Sequence, residues 1–169
     1  MNDPFKTDLQ RVMFYDKYSR WNPTARRRET WWETVDRVMK FFEHQLIDKY
    51  GQNPISHDDW DGLLYYFRIA EVLPSMRILQ MAGEPLERCN VGGYNCAYLP
   101  IESPKDIADL LYILMQGTGV GFSVEQHYVA KWPEVAHWND KSKLVYEIKD
   151  TTEGWADAVL YALEMGLKG

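Results

Sequence analysis

Between Gly92 and Val124 the chain alternates, turns helical and alternates again, and that order commits it to an α/β fold. Tyr94, Cys96 and Tyr98 interleave with Asn95, Ala97 and Leu99 at the two-residue period of a strand running to Ile101. Ser103-Pro104-Lys105-Asp106 then opens a helix with a cap, an early proline and an acidic third residue together. Ile107, Leu110, Leu111 and Leu114 give that helix its buried stripe, and Gly117 ends it. Val120, Phe122 and Val124 alternate with Gly121, Ser123 and Glu125 as a second strand. Leu144, Tyr146 and Ile148 alternate again, and Asp150 with Glu153 caps a last helix through Trp155, Val159, Ala162 and Leu163. The polar segment Lys131 to Lys143 reads as an exposed loop.

The part before Pro74 reads differently. From Ala25 to Tyr50, Trp31, Trp32, Val35, Val38, Met39, Phe42 and Leu46 recur at helical spacing. Asn22-Pro23 is expected as its cap and first turn, and Gly51 as its stop. A second helix is predicted from Ser56, with Asp59 completing the cap and Trp60, Leu63, Leu64, Phe67 and Ala70 forming its apolar set, bounded by Pro74. The predicted organisation is a helical region over residues 1–73 and an α/β region over 74–169.

Composition narrows the function classes. A chain of 169 residues that is 46% hydrophobic buries a sizeable core, and a net charge of −6 leaves no basic footprint for nucleic acid. The one basic run, Arg26-Arg27-Arg28, reads as a solvated helix face beside Glu29 and Glu33. No apolar run approaches the roughly 18 residues of a membrane span, so no membrane partner is expected and the cytoplasm is the expected location. The four histidines have no ligand spacing, and two cysteines make no zinc site, so no metal is assigned.

The chemistry-bearing residues lie around the two strands. Cys96 is read as a mid-strand thiol, with Tyr94 and Tyr98 on its own face and Asn95 and Ala97 on the other. Gly119 and Gly121 leave room for backbone to approach a ligand and allow unusual dihedrals, although on spacing alone a tight helix-to-strand connection explains them. Cys89, beside Gly92-Gly93, is read as a bystander.

Five ordered segments carry a family resemblance. They are Tyr18-Ser19-Arg20-Trp21 with Arg27 to Trp31 and Glu33 to Val38; Pro74 to Leu79 with Ala82-Gly83; Asn95-Cys96; Gly119 to Val124; and Thr152 to Asp157. Together they resemble the N-terminal portion of adenosylcobalamin-dependent (class II) ribonucleotide reductases of the ribonucleoside-triphosphate type. The resemblance implies a helical region followed by the first strands and helices of a ten-stranded α/β barrel. Tyr94, Cys96, Tyr98, Val120, Phe122 and Val124 are expected to line the interior of that barrel, which this chain cannot close by itself. The resemblance further implies a radical enzyme that converts ribonucleotides to 2'-deoxyribonucleotides.

Residue by residue, the resemblance makes Cys96 one of two reducing cysteines. It places Asn95, Gly119, Val120, Gly121 and Ser75 at the substrate, and Glu102, Lys105 and Asp106 where a dNTP effector site begins. It implies adenosylcobalamin as cofactor, with a diiron-dependent relative as the rival within the family, and a dithiol reductant such as thioredoxin. No cysteine follows Cys96, so the radical-carrying finger-loop cysteine and the second reductant are expected from a partner polypeptide. Alone, the chain is expected to be inactive, as a split subunit or a piece of a larger enzyme. A non-catalytic nucleotide-binding or assembly module is the alternative.

Overall fold

The first helix of the computed structural model, α1 over Asp8–Lys17, starts at a capping box that the apolar period does not reveal. Thr7 Oγ1 accepts the Gln10 N–H at 3.2 Å, and Gln10 Oε1 accepts the Thr7 N–H at 3.2 Å. The structure describes residues 3–134, 136 and 145–168 and divides into two units, Met1–Gly93 and Tyr94–Gly169.

After α1 the chain makes a small hairpin where the apolar period predicts a helix. β1, Trp21–Asn22, pairs antiparallel with β2, Arg27–Arg28, and Arg26 in the turn adopts φ of 53°. The basic run is exposed as expected, but on a strand and its turn. Arg27 donates through both terminal nitrogens to Glu33, at 2.7 and 2.8 Å.

Helix α2 therefore starts late, over Trp31–Tyr50, where Thr30 and Glu33 cap it reciprocally. Asn22 is not its cap; Asn22 Oδ1 instead accepts the Ala25 N–H inside the hairpin turn. Gly51 stops the helix at φ of 75°, a conformation glycine adopts without a Cβ penalty. Hydrogen bonds from the Arg27 guanidinium, then from the Thr30 N–H, hold the Glu33 carboxyl down to about 2. A depressed carboxylate contributes stability above its unfolded value of 4.5 and loses it as pH falls towards 2. Glu33→Gln should therefore lower the thermal midpoint at neutral pH, and the difference from wild type should close across that acid window in melts followed by circular dichroism.

Helix α3, His57–Arg68, begins at Ser56, whose hydroxyl accepts the Asp59 N–H and donates to the Asp59 carboxylate. It ends at Arg68, ahead of Ala70 at φ of 59° and well short of Pro74. Phe14, Trp31 and Phe67 meet edge-to-face, with centroids 5.5 and 5.8 Å apart, and Trp31 Nε1 donates to the Arg68 carbonyl at 2.8 Å.

The boundary predicted at 73/74 falls instead after Gly93. Two short helices, α4 over Met76–Met81 and α5 over Glu84–Arg88, put Leu79, Ala82 and Leu86 into the same core as Val35, Val38 and Met39. A polar staple ties them there. Arg37 pairs with Glu29 at 3.0 Å, both largely buried, and donates to the carbonyls of Leu79 and Ala82 at 3.2 and 3.0 Å. Arg20 donates twice to the Gln80 carbonyl. These arginines satisfy carbonyls at the end of α4 that the helix cannot satisfy itself. The motif segments Tyr18–Trp21, Arg27–Trp31 and Glu33–Val38 thus meet the Pro74–Gly83 segment as one local architecture. A 3-10 turn over Asn90–Gly93 closes the unit.

The second unit holds β3, Cys96–Pro100, then α6, Pro104–Met115, and β4, Gly119–Ser123. The strands pair in parallel, which requires a crossover, and α6 supplies it. Ser103 and Asp106 cap α6, and Gly117 leaves it at φ of 82°. The short helix α7, Gln126–Val129, follows β4, and α8, Thr152–Lys168, packs against α6 with Ala108 and Ala156 buried.

Two local expectations fail in this unit. Residues 145–149 form no strand, so the alternation of Tyr146 and Ile148 is not used in a sheet; Leu144, His137 and most of the predicted loop lie outside the described residues. Thr151 caps α8 in place of Asp150, its Oγ1 accepting the Gly154 N–H at 2.9 Å. Gly154 itself is obligatory for close packing. A Cβ there would stand 2.8 Å from Lys149 Cβ and 3.0 Å from its carbonyl carbon. Gly154→Ala should cost about 1–3 kcal/mol, read as a lower denaturant midpoint at unchanged slope.

Candidate active site

Cys96 opens β3, and is not the mid-strand residue that alternation suggests. The pairing starts there because the chain just upstream is bonded to the approach of β4. Thr118, almost fully buried, donates its hydroxyl to the Tyr94 carbonyl at 2.8 Å, and the Gly119 N–H donates to the Asn95 carbonyl at 2.9 Å. Asn95 thus contributes backbone to the frame that carries the thiol. Thr118 belongs to no motif, and its position between Gly117 and Gly119 is the only signal in the sequence that points to it.

The register decides which side chains share the thiol's face. Cys96 lies opposite Gly119, Tyr98 opposite Gly121 and Pro100 opposite Ser123, whereas Ala97 lies opposite Val120 and Leu99 opposite Phe122. Paired residues of a parallel ladder point the same way, so Val120 and Phe122 project from the face opposite Cys96. The grouping of Cys96 with Val120 and Phe122 on one interior wall is therefore corrected. Ala97, Leu99 and Val120 are half-buried, while Cys96, Tyr98, Gly119 and Gly121, and Phe122 on the other face, are exposed.

The result is a thiol beside a strip of bare backbone. A Cβ on Gly119 would meet only the Asn95 carbonyl oxygen, at 3.6 Å, an ordinary contact. Neither Gly119 nor Gly121 has positive φ; the conformational freedom of glycine is used at Gly117. Space above the sheet, rather than an unusual dihedral, is what these two glycines provide. At the far end of the strip, the Tyr98 ring lies over Gly121, its Cδ2 3.8 Å from where a Cβ would stand.

Tyr128 of α7 lies close enough to Tyr98 for the two phenols to influence each other. Desolvation, then the nearby Tyr98, Glu125 and Glu102, raises the Tyr128 phenol above its usual range. Lys131 Nζ stands 5.8 Å from the centroid of the Tyr128 ring and pairs with Glu102 at 2.7 Å. No periodicity in the sequence links Tyr128 to Tyr98.

The remaining candidates have local work. Glu102 pairs with Lys131, and Lys105 pairs with Asp109 one turn along α6. Asp106 accepts the N–H groups of Glu102 and Ser103, at 2.9 and 2.7 Å, and the Ser103 hydroxyl. Burial opposes ionisation of Asp106, but these hydrogen bonds outweigh it and hold the carboxyl below its usual value. Ser75 belongs to the first unit, where its hydroxyl caps α4 by accepting the Ile78 N–H. Cys89 is also in the first unit, at the end of α5, and neither cysteine is in a disulfide. Among the described residues no three His, Cys, Asp or Glu side chains converge as a metal site, and no helix is long and apolar enough to cross a membrane.

Comparison with known proteins agrees with the motif resemblance. Residues 1–62 match the family model described as the ribonucleotide reductase alpha domain. Over 129 residues the chain is 34% identical to a putative adenosylcobalamin-dependent ribonucleoside-triphosphate reductase of Mycobacterium phage D29, a match covering 73% of this chain and 17% of the relative. It is 28% identical to the adenosylcobalamin-dependent ribonucleoside-triphosphate reductase of Lactobacillus helveticus (strain DPC 4571), covering 84% of this chain and 23% of that protein. The chain therefore spans about a fifth of the length of these two relatives. A crystal structure of a B-12 dependent (class II) ribonucleotide reductase shares the fold with a TM-score of 0.73 at 23% identity, covering 92% of this chain and 29% of the other.

Proposed function

We propose that this chain forms the N-terminal part of a ribonucleotide reductase and contributes Cys96 as one of the two thiols that reduce the ribose. The observation that carries this reading is the exposed Cys96 thiol on a parallel strand, facing the side-chain-free strip of Gly119. A sugar ring lies flat against such a strip with its 2'-carbon near sulfur. Replacing the 2'-hydroxyl by hydrogen takes two electrons and two protons. Two thiols supply both: they close to a disulfide while the hydroxyl leaves as water and hydrogen takes its place on carbon. The second thiol and the radical-carrying thiol lie outside these 169 residues in this reading, and a thioredoxin-like dithiol reopens the disulfide after each turnover.

The two-stranded parallel sheet supports the need for further strands. Its outer edges are unpaired among the described residues, and Tyr94, Tyr98, Phe122 and Val124 are exposed beside them. A pair this small is marginal without further strands, and a ten-stranded barrel would supply them. The substrate is a ribonucleoside triphosphate and the cofactor adenosylcobalamin, in keeping with the names of the two relatives. Adenosylcobalamin would supply the radical; the Cys96 face offers a thiol and glycines suited to a sugar, and no residue of this chain is assigned to the corrin. A dNTP effector bound at the start of α6, near Glu102, Lys105 and Asp106, belongs to the same proposal.

Reconstitution tests the proposal. Expressed alone with cofactor, dithiol and ribonucleotide, the chain should show no reductase activity and should self-associate. Co-expressed with the polypeptide bearing the remaining strands and thiols, it should form a stoichiometric complex that makes deoxyribonucleotide. A well-behaved monomer that engages no such polypeptide and still binds nucleotide would replace this reading with a non-catalytic binding module.

A further inference from the structure

Thr118 is 1% exposed, between two glycines that carry no side chain. Burying a hydroxyl costs free energy unless a hydrogen bond offsets it, and a valine of the same shape would fill this space without that cost. The hydroxyl is there for its bond. It donates to the Tyr94 carbonyl at 2.8 Å, from 24 residues further along the chain.

Tyr94 lies two residues before the thiol, and the chain bends at Asn95 just before β3 begins at Cys96. Hydrogen bonds join that bend to the approach of β4, one from the Thr118 hydroxyl and another from the Gly119 N–H to the Asn95 carbonyl at 2.9 Å. The second runs from backbone to backbone, so any residue but proline at 119 would make it. The first depends on the side chain at 118. Cys96 with Gly119 is also the first pair of the parallel ladder, which puts the thiol at the end of a two-stranded sheet, where pairing frays most readily. We propose that Thr118 is a positioning residue for Cys96: by holding the Tyr94 carbonyl it fixes the bend from which the strand starts, and so sets where sulfur stands beside Gly119. That this sulfur reduces a ribose rests on the function proposed above; the tie itself rests on the 2.8 Å bond and the register. Thr118 is too buried to touch a ligand and acts only through the backbone.

Two measurements separate the tie from the chemistry. The first follows hydrogen exchange by mass spectrometry in the full chain. Thr118→Val keeps the volume and the branch at Cβ but loses the donor, and should raise exchange over residues 94–100 about tenfold while α6 and α8 exchange as in wild type. Thr118→Ser keeps the donor and should match wild type over 94–100. Should the valine variant be insoluble, Thr118→Ser against Thr118→Ala makes the same comparison, since those two differ only in the hydroxyl. Unchanged exchange over 94–100 on loss of the hydroxyl overturns the tie. A rise shared equally by α6 and α8 overturns the positioning role as well, because it would make Thr118 a support of the whole unit.

The second measurement uses the reconstituted complex. Thr118→Val should lower kcat about tenfold with KM within about threefold, because a displaced thiol impairs the reducing step and leaves substrate binding alone. Thr118→Ser should recover kcat to within about threefold of wild type. A wild-type kcat for Thr118→Val in a complex that Cys96→Ser inactivates overturns the positioning role and leaves the proposed function standing. Turnover that survives Cys96→Ser overturns the proposed function, and the exchange result then decides the tie by itself.

Discussion

Cys96→Ser should end multiple turnover in the assembled enzyme, because a hydroxyl at this position cannot close to a disulfide and so cannot deliver its electron to the sugar. The side chain is nearly isosteric and sits exposed at the start of β3, so the fold should not change. Melting within about 0.5 kcal/mol of wild type is expected for an exposed position of this kind. Under the proposed function radical generation should persist, because that reading gives it to a different thiol, and its spectroscopic signal would accumulate without deoxyribonucleotide. Cys89→Ser, in the first unit at the end of α5, should leave turnover within about threefold of wild type. Wild-type yield from the Cys96 variant would remove the role assigned to this thiol. A loss at Cys89 as large as that at Cys96 would instead make the two cysteines a functional pair.

Gly119→Ala is the second large effect, and it separates a pocket from a tight connection. The added methyl meets the Asn95 carbonyl oxygen at 3.6 Å and no side chain, on a backbone without positive φ. Stability should therefore stay within about 1 kcal/mol of wild type. Activity should fall about a hundredfold or more, because the methyl stands in the space beside sulfur and displaces the sugar by about an ångström from its reacting geometry. Equal loss of stability and activity would mean that Gly119 serves only the helix-to-strand connection. The contrasting position is Gly154, where the same substitution collides with Lys149 and should damage the fold first.

Local chemistry made much of this chain legible. Where a cap, its partner three residues on and a stop glycine lie close to the helix ends, the side chains satisfy orphan backbone groups whatever surrounds them. Ser56 with Asp59, Ser103 with Asp106, and the glycines 51 and 117 accordingly sit where their residue types demand. The strand character of Cys96–Pro100 and Gly119–Ser123, with a helix between, follows from alternation and from Pro104 opening the intervening helix. Thr7 with Gln10 and Thr30 with Glu33 are capping boxes of the same kind, present in the sequence but masked by the apolar period around them.

Tertiary contacts decided the rest. Residues 25 to 28, which the predicted helix included, lie instead in a hairpin and its turn, with Arg27 paired to Glu33 and the neighbouring Glu29 buried against Arg37. Pro74 breaks the chain without dividing it, since Arg20 and Arg37 bind carbonyls 60 and 45 residues away, a separation no local pattern records. Likewise, alternation says that Val120, Phe122 and Val124 share a face but not which one. Only the pairing of Cys96 with Gly119 assigns them away from the thiol, because a one-residue shift in register would reverse every side chain. The sequence by itself determined that Cys96 and two glycines occupy neighbouring strands; the interstrand hydrogen bonds determined that they stand on the same side.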